Sequence, residues 1–173
     1  MLWPGFRDDG ALILPLDGAH FLPAGSPIRL RLDGHVLERK HELHATLLGR
    51  DAGCSLRGQL GEARMRAMFE TFDWQLQGTA RYALVHKAKP QWEGPLEAWS
   101  LIEHLHAPAF AQFRHALAEA SGLPIDSGVP HVTLYVAGDP YGIGLPDVGT
   151  YRVCHVRDVS ASEITTARPH GGT

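Results

Sequence analysis

The chain of 173 residues is long enough for one well-packed domain and too short for two independent domains of ordinary size. Its 44% hydrophobic and 20% charged residues are typical of a globular protein and exclude a disordered or fibrous chain. A net charge of -3 with scattered basic residues argues against a long nucleic-acid duplex as partner, but it is compatible with a nucleotide or a nucleic-acid end.

Three features indicate where the chain resides. The first 16 residues lack a basic start, a long apolar run and a small-residue cleavage site, so we expect no secretory signal. The uninterrupted apolar runs are far shorter than the roughly 20 residues that span a bilayer, so we expect no membrane segment. Cys54 and Cys154 form no CxxC pair, which favours a reduced, cytoplasmic setting over a zinc knuckle or a disulfide framework.

Seven short runs predict β-strands, because they alternate apolar and polar residues or carry β-branched and aromatic side chains between Gly, Pro or Asp. In chain order these runs are residues 11–16, 28–32, 43–48, 81–85, 99–104, 131–137 and 151–159.

Two segments predict helices instead, one at residues 57–72 and one at residues 108–122, where Pro108 is placed to begin the helix and Gly122 to end it. Each carries an apolar stripe at helical spacing, which we interpret as core packing rather than a cofactor site. The stripes are Met65, Met68, Phe69 and Phe72 in the first helix, and Phe110, Phe113, Leu117 and Ala120 in the second.

The order of these elements predicts a mixed α+β fold. Strands outnumber helices and often follow one another directly, which disfavours a doubly wound parallel sheet. A histidine-containing strand in each half suggests a weak internal duplication, and hence two lobes of one domain over residues 1–173. Residues 87–95 and 138–149 are rich in Pro and Gly and predict loops, the first of which separates the lobes.

A repeated motif is the most informative feature of the sequence. "ELHATLLG" at residues 42–49 returns in part as "PHVTLYVAG" at residues 130–138. On a strand, alternate side chains share a face, so His44 projects with Thr46, while His131 projects with Thr133 and Tyr135. If the lobes face each other, two imidazoles and two hydroxyls converge in a cleft.

Such a group of side chains suits phosphoryl transfer. Imidazole titrates near neutral pH, so a neutral histidine accepts a proton from an attacking oxygen while a protonated one donates to a leaving oxygen. The hydroxyls of Thr46 and Thr133 suit the non-bridging oxygens of a phosphate. Tyr135 is placed to stack on a base or to bond a phosphate, although packing at the rim of the cleft is an equal alternative.

The two H-x-T-L segments, which begin at His44 and His131, resemble the signature of the two-histidine (2H) phosphoesterase superfamily, which includes bacterial RNA 2′,3′-cyclic phosphodiesterases, historically called 2′-5′ RNA ligases. The resemblance implies a bilobal, pseudo-twofold fold, with two antiparallel-rich sheets lining a central cleft and helices outside. It also implies metal-independent opening of a cyclic phosphate without a cofactor. In that reaction His44 and His131 form the acid–base pair, and Thr46 and Thr133 hold the phosphate.

One departure from the family concerns residues 17–43, where such proteins usually have a clear helix. This segment contains Pro23, Pro27 and several glycines, which suggests a divergent substrate pocket. The partner we expect is a small nucleotide or an RNA end that carries a cyclic phosphate. We expect no membrane or long duplex partner, and a monomeric protein.

Several alternatives remain open at this point. The two motif histidines are structural in the simplest one, where they merely begin strands. "HELH" and "EHLH" suggest metal ligands, but they lack the spacing of HExxH, so we predict no metal site. A binding module for nucleotides or RNA ends would use the same cleft without turnover, and a 2′-5′ ligase would need no further residues because acid–base catalysis is reversible.

Overall fold

The computed structural model describes residues 1–90, 92 and 94–165, and these form an α+β fold of eight strands and five α-helices. The strands are β1 Leu12–Leu16, β2 Arg29–Leu32, β3 His35–Arg39, β4 Leu43–Leu48, β5 Gln77–Lys89, β6 Leu96–His106, β7 His131–Ala137 and β8 His155–Val159. The helices are α1 Arg50–Leu60, α2 Glu62–Phe69, α3 Pro108–Ser121, α4 Val148–Cys154 and α5 Ala161–Thr165.

The strands form two antiparallel sheets, which confirms the predicted fold class. One sheet pairs β1 with β4, and the other has the order β2-β3-β7-β6-β5-β8. Strand β4 packs beside β7 at the boundary between the sheets. The two strands that carry the motifs are therefore neighbours, one from each sheet.

Strand β3 is absent from the sequence-based prediction, although the sequence contains its signal. β2 and β3 form a hairpin in which Leu32 pairs with His35, so Asp33 and Gly34 make a two-residue turn. Both turn residues have positive φ, 49° and 84°, as a type I′ turn requires, and Asp-Gly is a preferred pair for that turn. Residues 17–43 contain this hairpin and a short 3₁₀ turn at Gly18–His20, and no α-helix lies between them.

The segment 87–95 was predicted to be a loop between lobes, and this prediction is wrong. β5 extends to Lys89 and β6 begins at Leu96, and these two residues are register partners. Both strands belong to the six-stranded sheet, so the segment is the tip of a long hairpin. The Pro and Gly that indicated a linker lie in this turn.

The helical predictions are confirmed in position but not in every boundary. The predicted helix at residues 57–72 is two helices, because Gly61 has φ 75° and its amide bonds to the Arg57 carbonyl, which ends α1. The second helix, α3, begins at Pro108 and ends before Gly122, which adopts the left-handed conformation. None of the described helices is long and apolar enough to cross a membrane.

The predicted strand at residues 151–159 is half helix. Asp147 caps α4 by accepting a hydrogen bond from the Thr150 amide, and the chain becomes extended only at His155. Asp is a preferred N-cap residue, and the strand-like alternation of the following segment obscures this signal. Residues 138–147, in contrast, form the predicted loop.

The six-stranded sheet has apolar clusters on both faces. The larger core packs one face against β1, β4 and helices α1 to α3. A smaller cluster on the other face includes Ile102, Ile143, Leu145 and Cys154. This second face carries the candidate site, because Ile102 pairs directly with Thr133.

Candidate active site

The structure brings the two motifs together. His44, Thr46, His131 and Thr133 are all half-buried and line one cavity of about 130 Å³. The alternate residues of β4 behave as predicted, since Leu43, Ala45 and Leu47 are buried in the core. The convergence expected from strand alternation therefore holds for four of the five predicted site residues, while their chemical roles stay predictions.

Tyr135, the fifth, lies elsewhere. In the ladder between β6 and β7, Ile102 pairs with Thr133 and Leu101 with Tyr135, so Leu134 is an extra residue in a β-bulge. The bulge reverses the alternation, and Tyr135 points into the main core with 0% exposure. The prediction that Tyr135 shares the face of His131 and Thr133 is wrong for this reason.

His131 has a defined tautomer. Its Nδ1 lies 2.7 Å from the carbonyl oxygen of Val129, and a carbonyl only accepts, so Nδ1 carries the proton. The neutral ring therefore has its lone pair on Nε2, as a general base requires. Burial lowers the pKa of His131, and the bond to Val129 opposes this only in part.

His44 is held in a less complete network. Its Nδ1 is buried and has no hydrogen-bond partner among the described residues. Burial lowers the pKa of His44, the nearby cations Lys40 and Arg7 lower it further, and Glu42 opposes them. His131 also lowers the pKa of His44, as expected for two imidazoles that share a site. Both rings are consequently uncharged at neutral pH in the free protein.

The loop that follows β7 forms one wall of the cavity through Tyr141, Ile143 and residues 144–146. Lys89 anchors it, because its ammonium bonds to the Asp139 carboxylate and to the Gly142 carbonyl, the latter at 3.0 Å. The Ile143 amide also donates to the Ser100 hydroxyl at 3.2 Å. The wall is therefore fixed by bonds to β5 and β6.

Arg114 is a cavity residue that the sequence analysis did not identify. It lies on α3 with 6% exposure, and its guanidinium bonds to three backbone carbonyls, those of Leu47, Asp126 and Pro146. A signal was present in the sequence, since Arg114 falls on the same helix face as Phe110 and Leu117. A charged residue within the apolar stripe of a helix indicates a charge that is buried in the folded protein.

Tyr141 is the second residue that was missed. Its side chain is 86% exposed, and it lines both the 130 Å³ cavity and an adjoining groove of about 500 Å³. His44 and Thr46 also line both spaces, so the groove opens directly from the cleft. Its other walls carry charges of both signs, from Arg7, Asp9, Glu38, Arg39, Lys40 and Glu42.

These residues define what the site can do chemically. Two imidazoles can exchange protons with a bound group, two hydroxyls can donate hydrogen bonds to it, and a buried cation lies beside them. Within the described part of the chain, no group of three or more His, Cys, Asp or Glu is placed to hold a metal ion. Comparison of the chain with protein-family models, with curated proteins and with solved structures found no match.

Proposed function

We propose that the protein is a phosphodiesterase that hydrolyses nucleoside or RNA-terminal 2′,3′-cyclic phosphates by two-histidine, metal-independent acid–base catalysis. The observation that supports the proposal most directly is the shared cavity, in which both H-x-T pairs meet. Two separate structural histidines would have no reason to converge with two hydroxyls on one small space.

The reaction needs only groups that line this cavity. One neutral imidazole takes a proton from water as the water oxygen bonds to phosphorus, and the bond from phosphorus to one ribose oxygen breaks. The other imidazole, protonated, gives its proton to that departing oxygen. The hydroxyls of Thr46 and Thr133 donate hydrogen bonds to the non-bridging oxygens, where negative charge increases.

The charge state of the histidines fits this sequence of steps. In the free protein, the lowered pKa values leave both imidazoles neutral at pH 7, so a base is present but an acid is not. A bound cyclic phosphate carries a negative charge, which favours the protonated form of a neighbouring imidazole. Substrate binding therefore generates the missing acid.

The test is turnover by the purified protein after treatment with a chelator. Cyclic 2′,3′-nucleotides and oligonucleotides with cyclic phosphate ends are supplied, and the products are separated by chromatography. His44→Asn and His131→Asn should each lower kcat by about 100- to 10,000-fold, because each removes one proton transfer. The matched control is His115→Asn, at an exposed histidine on α3.

The outcomes distinguish the proposed phosphodiesterase from a non-catalytic binding module and from a ligase. Full activity in either site variant contradicts the mechanism. Ligand binding without any product, at high protein concentration, favours the non-catalytic binding module. Formation of a 2′-5′ linkage between oligonucleotides, detected in the same product analysis, identifies a ligase.

A further inference from the structure

Arg114 has hydrogen-bonding capacity that the fold does not use. A guanidinium has five N–H donors, and three of them bond to the carbonyls of Asp126, Leu47 and Pro146, at 2.5, 3.0 and 3.0 Å. These bonds use Nε and one N–H on each terminal nitrogen. One further N–H on each terminal nitrogen has no hydrogen-bond partner within residues 1–90, 92 and 94–165.

The positive charge of Arg114 also lacks a direct counter-charge. No carboxylate among the described residues forms an ion pair with it, and the acids that act on it most are Asp126 and Asp147. Both carboxylates are engaged elsewhere, one with the Gly128 amide at 2.6 Å and the other with the Thr150 amide at 2.6 Å. Because these two acids act on the guanidinium without direct contact, its burial is costly, and an anion bound to it would reduce that cost.

The position of Arg114 indicates where such an anion would bind. Among the described residues that line the 130 Å³ cavity, Arg114 is the sole Arg or Lys, and it lies there with both motif histidines and both motif threonines. Its bond to Leu47 also ties it to the residue that follows Thr46 on β4. The planar fork of a guanidinium matches two oxygens of a phosphate.

We propose that Arg114 is the permanent counter-charge of this cleft and contacts the non-bridging oxygens of a bound phosphate through its two unused N–H groups. The histidines are neutral until a ligand arrives, so within the 130 Å³ cavity Arg114 provides the positive charge that an anion first contacts. The inference rests on the proposed function for the identity of the ligand, but the binding of any tetrahedral oxyanion tests it.

The experiment measures the dissociation constant of inorganic phosphate by calorimetry for the full chain. Arg114→Met removes the charge and both free donors, and it should weaken phosphate binding by about 10- to 100-fold, the usual effect of losing a charged hydrogen bond. Arg114→Lys keeps the charge without the fork and should retain part of the affinity. The matched control is Arg64→Met, at an exposed arginine on α2.

A purely structural role predicts a different result. If Arg114 only ties three carbonyls together, both variants lower Tm but leave the dissociation constant of phosphate unchanged, and that result overturns the proposal. If neither variant folds, the test is phosphate binding by the wild-type protein at high pH. At pH 8.5 the imidazoles are uncharged and Arg114 is not, so phosphate should still bind, and loss of binding at that pH overturns the proposal.

The two proposals fail in different ways. Phosphate binding that depends on Arg114, without turnover of any cyclic phosphate, refutes the enzymatic function and supports the anion site. Turnover that depends on His44 and His131, with phosphate binding that is unchanged in the Arg114 variants, supports the enzymatic function and refutes the anion site at Arg114.

Discussion

The hydroxyl of Tyr135 donates a 2.7 Å hydrogen bond to the backbone carbonyl of Pro27, which is 108 residues earlier in the chain. Tyr135 is on β7, two residues beyond Thr133, and Pro27 lies just before β2. The bond fixes the segment that leads into the β2–β3 hairpin against the strand that carries the second motif. Tyr135 is thus a residue of the fold, on the opposite face of β7 from the cleft.

Replacement of Tyr135 by Phe should lower stability and leave catalysis unchanged. The variant keeps the buried ring but leaves the Pro27 carbonyl without this donor, which costs about 0.5 to 1.5 kcal/mol in free energy of unfolding. Urea denaturation measures the loss, and Tyr141→Phe, at an exposed tyrosine, is the stability control. A large fall in kcat/KM with unchanged stability would instead place the Tyr135 hydroxyl at the substrate.

Tyr135 shows where the alternation of side chains along a strand fails to predict the face on which a residue lies. The faces of His44, Thr46, His131 and Thr133 follow from a period of two, and the structure agrees with all four. A single extra residue, Leu134, reverses the period, and no local feature of "HVTLYVA" marks it. Bulges depend on the partner strand, which a sequence read segment by segment does not identify.

Other differences have signals that the sequence does contain. The Asp33-Gly34 turn and the Asp147 cap both follow from side-chain chemistry near the residue concerned. Arg114 is harder, because its environment comes from β4, the segment before β7 and the loop after it. Only the tertiary structure brings these three carbonyls to one guanidinium.

Stability should depend on pH through the cleft histidines and through His104, a half-buried histidine on β6. An unfolded histidine titrates near pH 6.5, and burial lowers the pKa values of His44, His131 and His104 in the folded protein. At pH values between the folded and the unfolded pKa, the unfolded state binds more protons than the folded state. The free energy of unfolding therefore rises with pH in this range. Their contribution is complete above about pH 6.5 and is lost as pH falls toward the lower, folded pKa values.

The double variant His44→Asn/His131→Asn tests this dependence. Each histidine contributes a slope of at most about 1.4 kcal/mol per pH unit, so its removal should flatten the curve of unfolding free energy against pH below about pH 6.5. Some slope should remain, because His104 is still present. Urea denaturation at several pH values gives the slope, with His115→Asn as the matched exposed control. A slope as steep as that of the wild type would show that these imidazoles are not neutral in the folded protein.

Binding of an anion should be accompanied by proton uptake. Sulfate does not titrate near pH 7, so any proton taken up on sulfate binding comes from the protein. The anion raises the depressed pKa of a cleft imidazole, and part of one proton should be absorbed. Calorimetry in buffers with different ionisation enthalpies measures this uptake, which the double histidine variant should lack. A binding enthalpy that is the same in every buffer would contradict it.

Gly142 should be intolerant of a side chain. It has φ 84°, and a Cβ there would meet Thr133 Cγ2 at 3.3 Å. Gly142→Ala should therefore cost about 1 to 2 kcal/mol from the left-handed backbone and also displace Thr133, which lowers kcat. Gly25→Ala is the matched control, because Gly25 has φ 82° but nothing within 4 Å of the added Cβ. Equal effects of the two variants on kcat would show that contact with Thr133 is unimportant.

Tyr141, rather than Tyr135, should contact the base of a nucleotide substrate. Its ring is exposed at the junction of the cleft and the 500 Å³ groove, where the remainder of a nucleotide must lie if its phosphate occupies the smaller cavity. Stacking of a base on an aromatic side chain contributes about 1 to 3 kcal/mol, so Tyr141→Ala should raise KM for a 2′,3′-cyclic nucleotide by about 5- to 150-fold. Tyr141→Phe should keep most of the affinity.

The matched control is Trp92→Ala, which removes a fully exposed aromatic ring from the β5–β6 hairpin, outside both the cavity and the groove. Unchanged KM in Tyr141→Ala would mean that the base binds elsewhere in the groove.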